Sequence, residues 1–217
     1  MGALSSVPSK PPGRQRVALK KPKPAQVSGF PRTRLTSRRS LYRAHREWGP
    51  WWFASDGGGR FDLSPPLGTC YLATSPADAL REALGRLVDS GVVVDEELAN
   101  RFVSNLHVPA TQVADTTDPD AANHGVTKEI STITPYRLPQ LWAQAWADDG
   151  CGGVRYLGRF STDPKGRCYA LFGPAGVGSW SEDPSPVLAI DVAVAAGMEV
   201  VSRPAPRRVT FISPPGP

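Results

Sequence analysis

The residues best suited to chemistry are two arginines framing a glycine triplet, a glutamate on a capped helix, and a tyrosine on a short strand. Arg43 and Arg60 bracket an aromatic loop that ends in Gly57-Gly58-Gly59. A guanidinium presents forked donors that match phosphate oxygens, and glycines let the backbone approach a ligand closely. The spacing excludes two common nucleotide motifs. No G-K-[ST] follows the glycines, and no G-x-G-x-x-G opens a helix there. Glu82 projects nearly opposite the Leu80/Leu84/Leu87 stripe. It is either a solvated partner of Arg86 at i,i+4, worth a few tenths of a kcal/mol, or a carboxylate facing a cleft that the sheet wraps around. Tyr71 alternates with Leu72, so its ring either packs or stands free to stack on a base or pyridine. Cys70, Cys151 and Cys168 have neither a disulfide framework nor zinc spacing, and His45, His107 and His124 are scattered. The expectation is no metal and a reducing, cytoplasmic setting.

Several elements must position these groups. Ser40–Ala44 reads as a first strand, with Leu41 and Arg43 on one face and Tyr42 and Ala44 on the other. GTCYLAT at 68–74 is a second strand. SPADALREALGRLVDSG carries the clearest local signal. Ser75 is an N-cap, Pro76 fits the first helical position, Asp78 has capping-box spacing, and Gly91 is expected to end the helix. Further strands are expected at 101–108, 154–156, 167–172, 187–194 and 199–202. A second helix is expected at 139–149, and residues 109–135 read as irregular. Strands outnumber helices without strict alternation, which favours an α+β domain over a doubly wound nucleotide fold.

The chain has 217 residues and a net charge of +5. Ten of its 25 Lys/Arg and none of its 20 Asp/Glu lie in residues 1–40, so the rest carries 15 basic and 20 acidic residues. The charge describes a cationic tail on a mildly acidic domain. Residues 1–39 are expected to be a disordered Pro/Lys/Arg-rich tail. Residues 40–205 are expected to form one domain and 206–217 a second tail, with removal of 1–38 leaving the fold intact. The basic tail allows contact with nucleic acid but lacks the interleaved aromatics of a base-stacking arm. No apolar run reaches the ~20 residues of a membrane span.

Taken in order, YRAH at 42–45, GGRF at 58–61, GTCYLATSPADALREALG at 68–85, QLWAQAWADDGCGGVRY at 140–156 and the RCYALF run at 167–172 resemble the RES domain family. The resemblance implies a split β core with surrounding helices, like that of ADP-ribosyltransferase toxins, around a cleft for NAD⁺. It implies an enzyme that consumes NAD⁺ by hydrolysis or phosphorolysis of the nicotinamide–ribose bond, and an antitoxin protein as partner. The alternatives are a mono-ADP-ribosyltransferase and a non-catalytic binding module. It assigns Arg43, Tyr71 and Glu82 as catalytic, with Glu82 facing the cleft, and Arg60, Tyr42, Arg159, Ser161 and Gly158 as contacts to the dinucleotide. The family's third signature residue is a serine where this chain has Gly158, with Ser161 three residues on. Trp48, Trp51, Trp52 and Phe53 then read either as a lid over the cleft or as ordinary packing.

Overall fold

The computed structural model describes residues 19–47, 49–88, 90–161 and 163–203. Twelve strands and five α-helices follow in chain order. They are α1 Pro24–Val27, β1 Arg32–Leu35, β2 Leu41–Arg46, β3 Trp52–Phe53, β4 Leu67–Ala73, α2 Pro76–Leu84, β5 Val92–Val94, α3 Asp95–Leu98, β6 Arg101–Leu106, β7 Thr111–Asp115, α4 Arg137–Asp148, β8 Gly153–Tyr156, β9 Cys168–Pro174, β10 Gly176–Val177, β11 Val187–Leu188, α5 Ala189–Ala195 and β12 Glu199–Val201. Eight strands form one mixed sheet in the order β1-β7-β8-β9-β4-β2-β6-β11. This is the α+β architecture expected from the sequence.

The sheet is split at its centre. β4 pairs with β9 along its whole length and β2 with β6 over six residues, yet β2 and β4 meet only at Tyr42↔Ala73. Beyond that pair they diverge. Further along β4, Ala54 takes the free edge, exchanging backbone hydrogen bonds with Thr69 at 2.8 and 2.9 Å. Residues 70–72 of β4 are thus left at the mouth of a gap.

Alternation along β4 sorts the two faces. Tyr71 and Ala73 join the cluster of Phe61, Trp142, Trp146 and Tyr156. Cys70 and Leu72 join Leu41, Trp51, Phe53, Tyr169 and Leu171. α2 lies over the gap. Its first turn is fixed by the Ser75 hydroxyl, which accepts the Asp78 amide at 3.0 Å, and Leu80 and Leu84 are buried beneath it.

Four expectations are corrected. Residues 19–35 are not a loose tail: β1 pairs with β7 at the sheet edge, and Leu19, Val27, Phe30 and Leu35 are buried. The Trp142 indole donates to the Lys20 carbonyl at 2.8 Å, and the Leu19 amide donates to Glu129 at 2.8 Å. Removing residues 1–38 therefore takes a strand and four core side chains with it. Residues 1–18 and 206–217 lie outside the described residues. Second, α2 stops at Leu84 because Gly85 adopts φ +57° and the next turn tightens to a 3-10 helix. Gly91, the expected stop, lies beyond it. Third, β7 runs through part of the segment read as irregular. Fourth, the strand expected at 187–194 is two strand residues followed by α5. Its Ala189, Val192 and Ala193 are buried at helical spacing, so packing overrides the β preference of its valines.

No helix among the described residues is long and apolar enough to cross a membrane.

Candidate active site

A cavity of about 300 Å³ fills the gap between β2 and β4. Its walls are β2 at Arg43 and Ala44, β4 at Tyr71–Ala73, α2 at Ala79, Glu82 and Ala83, and the loop Gly58–Arg60. Tyr136, Tyr156, Arg159 and Phe160 close the rest.

The glycine stretch is built onto Tyr71. The tyrosine hydroxyl donates to Asp62 Oδ1 at 2.7 Å and accepts the Phe61 amide at 2.8 Å. Asp62 Oδ2 accepts the Gly59 amide at 2.7 Å. A Cβ on Gly59 would stand 2.3 Å from Asp62 Oδ1 and 2.4 Å from the Tyr71 oxygen, so this position admits glycine alone without rearrangement. Burial pushes the Asp62 carboxyl up, opposed by its bonds to Tyr71 and Gly59. Burial and the neighbouring Asp62 charge push the Tyr71 phenol well above its ordinary range. With its hydroxyl engaged, Tyr71 offers the cavity its ring.

The same loop delivers Arg60, which is 8% exposed. Its guanidinium donates to the Ile133 carbonyl at 2.7 Å and lies 4.5 Å over the ring of Tyr136. Burial lowers its pKa, with Tyr136 and Glu82 acting the other way. No carboxylate lies within ion-pair distance of it among the described residues, so its charge is met by carbonyl and ring contacts instead.

Glu82 faces this cavity and makes no ion pair with Arg86. Its Oε1 accepts the Phe160 amide at 2.8 Å. Burial pushes its carboxyl up; the Phe160 and Arg159 amides and the Arg60 charge oppose that. Gly158 lies directly behind it. A Cβ there would stand 2.9 Å from Glu82 Oε1 and 3.1 Å from Cys168 Sγ. Glycine at 158 thus lets the β8–β9 loop close on the carboxylate and hold it with backbone amides.

The expected site residues are only partly brought together. Glu82, Tyr71, Arg43, Arg60 and Arg159 share the cavity. The Arg43 guanidinium is nevertheless hydrogen-bonded to the Cys70 thiol, whose face of β4 is opposite that of Tyr71. Strand alternation explains this, because Arg43 shares a side with the buried Leu41. Tyr42 instead lines an apolar cleft with Val103 and Val192. The Ser161 hydroxyl accepts the Asp163 amide at 3.2 Å and lies in an adjoining cavity, so it does not fill the place of the missing serine. Trp51 and Phe53 are 1% and 2% exposed and pack edge-on against Trp180, which makes them core and not lid. Trp48 lies outside the described residues. The sequence reading missed Asp62, Tyr136, Tyr156 and Phe160. Asp62 follows directly on the GGGRF run, but nothing local marks it as buried.

These features define a split-sheet α+β domain with a half-enclosed polar cleft. The chain belongs to the RES domain family, whose match covers residues 40–191. Among solved structures it is similar to the toxin chain in the crystal structure of the M. tuberculosis MbcT–MbcA toxin–antitoxin complex. The TM-score is 0.61 at 13% identity, covering 80% of this chain and 96% of that one. No curated protein matches it.

Proposed function

We propose that this protein cleaves the nicotinamide–ribose bond of NAD⁺ by hydrolysis or phosphorolysis, water or phosphate bonding to the ribose C1 as neutral nicotinamide leaves. The observation that carries the reading is the convergence of Glu82, Tyr71, Arg60 and Arg159 on one cavity at the split of the sheet.

Cleavage of that bond builds positive charge on the ribose, as in glycoside hydrolysis. Nicotinamide leaves as a neutral ring, so no general acid is required. The Glu82 carboxylate, fixed by the Phe160 amide, stabilises the oxocarbenium-like state and accepts a ribose hydroxyl. The Tyr71 ring packs on the nicotinamide or ribose. Arg60 and Arg159, which line the pocket with Arg43, share the phosphate-binding role expected of Arg43, whose hydrogen bond to Cys70 also ties β2 to β4 across the split.

The membership in the RES family and the likeness to a toxin chain support a toxin of a toxin–antitoxin pair, with an antitoxin protein as partner. Incubation of the purified full chain with NAD⁺ is expected to release free nicotinamide, and Glu82→Gln to release none. Equal release from both proteins, or none from the wild type, overturns the reading. Expression in a host cell is expected to deplete NAD⁺ and arrest growth, with Glu82→Gln harmless.

A further inference from the structure

A second cavity, of about 590 Å³, adjoins the first across Gly158 and Arg159. At about 300 Å³ the first cavity sits at the low end of the range for ligand sites. It suits one end of a dinucleotide and not the whole. Arg159 lines both cavities.

The walls of the second cavity hold polar groups that are not engaged with one another. Asp78 lies one helical turn before Glu82 and is 4% exposed. Its amide caps the helix on Ser75, but its carboxylate has no hydrogen-bond or ion-pair partner among the described residues. The capping box expected from the sequence is therefore only half made. Ser131 is 5% exposed, and its hydroxyl is likewise unpartnered. Arg167 donates through Nη1 to the Pro164 and Gly166 carbonyls at 2.7 and 2.8 Å, while its Nε is buried without a partner. Lys128 and Arg159 complete a set of three cations, none of them ion-paired among the described residues. Asp163 also lines the cavity, but its Oδ1 accepts the Lys165 amide. A Cβ on Gly166 would stand 2.8 Å from Asp78 Oδ2, so glycine there makes room for the carboxylate.

Buried polar groups in folded proteins are ordinarily paired. Cations beside an unpaired carboxylate and a free hydroxyl call for a ligand that is an anion and also donates hydroxyl hydrogens. We infer that this cavity binds a phosphorylated ribose with a free diol, the second nucleoside phosphate of the dinucleotide, with Asp78 accepting its hydroxyls and Lys128, Arg159 and Arg167 facing its phosphates. The inference rests on the NAD⁺ reading for the identity of the whole ligand. Acidic residues play this part toward the ribose 2′-hydroxyl in other dinucleotide sites. Asp78 then sets specificity, since a 2′-phosphate would meet its carboxylate.

The test is equilibrium binding of adenosine monophosphate to the full chain, with melting curves to verify folding of each variant. Wild type is expected to bind it, and NAD⁺ to displace it. Asp78→Asn is expected to weaken binding by on the order of tenfold, the loss of one charge-assisted hydrogen bond. Ser131→Ala is expected to weaken it less, and Lys128→Ala to flatten its salt dependence. Adenosine 2′,5′-bisphosphate should bind wild type more weakly than the monophosphate, and Asp78→Asn should narrow that gap. Unchanged affinity in folded Asp78→Asn, no binding by wild type, or simultaneous binding of the monophosphate and NAD⁺ overturns the assignment. Nicotinamide release is measured separately. Cleavage with no effect of Asp78 on binding removes only the subsite; Asp78-dependent binding without cleavage removes only the reaction.

Discussion

Trp51–Phe53 and Gly57–Asp62 lie within a dozen residues of one another and do opposite work. The aromatic half turns Trp51 and Phe53 into the core behind β4, where each contributes roughly 1.5–3 kcal/mol by burial. The glycine half buries one ring, Phe61, on the Tyr71 face, and otherwise works through its backbone. It wraps the backbone around the Tyr71 hydroxyl and carries Arg60 into the cleft. Large rings stabilise this loop where it needs to be held. Missing side chains let it approach where it needs to act.

The sharpest way to separate the two halves is Trp51→Ala. The indole is 1% exposed and donates to the Ser181 carbonyl at 3.0 Å. Its removal should cost about 3–5 kcal/mol, read as a lower midpoint in urea. Nicotinamide release per folded molecule should stay near wild type. Gly59→Ala should do the reverse. Its Cβ meets Asp62 and Tyr71 at under 3.0 Å, and overpacking of this kind costs about 1–3 kcal/mol. Cleavage should fall far more than that stability loss explains, because Arg60 follows the displaced backbone. A Gly59→Ala protein with full activity would remove the glycine half from the site.

Legibility in the sequence divides along similar lines. The helix α2 was readable from Ser75, Pro76 and the Leu80/Leu84 stripe, because caps and apolar spacing are local. The direction of Glu82 was not, since it depends on a sheet that splits at Tyr42↔Ala73 and on a loop from residues 157–160. Strand alternation already put Arg43 on the side of Leu41. What the local pattern lacked was that Tyr71 and Glu82 lie on the other side. The basic N-terminal segment misled by composition: Leu19, Val27, Phe30 and Leu35 are too sparse to show a period, yet all four are buried. In α5 the valines indicated a strand, and burial at i, i+3, i+4 decided for a helix.

A pH series sharpens the comparison from the site side. Burial raises the Glu82 carboxyl above its ordinary 4.5. If its anion is the reactive form, the acid limb of kcat/KM lies above that value, and activity falls as pH drops through the raised pKa. Stability runs the other way. A carboxyl with a folded pKa above its unfolded one binds more protons when folded, so its contribution is full below the unfolded pKa and is lost as pH rises through the folded one. Glu82→Gln should abolish cleavage and flatten that part of the stability profile. Trp51→Ala should leave the position of the acid limb unmoved.

The smallest effect is expected at Trp52, the ring between the two buried ones. It is 49% exposed, pairs across the β3–β10 ribbon with Val177 at 75% exposure, and does not line the cleft. Trp52→Ala should change stability by no more than about 0.5 kcal/mol, as for an ordinary surface position, and leave kcat and KM for NAD⁺ unchanged. This outcome matters because the aromatic run has a second possible role as a wall of the cleft, and Trp52 is the described member of the run still free to play it. A several-fold rise in KM on its removal would mean the ribbon folds over bound substrate. The division between packing and site would then fall within the aromatic half instead of after it.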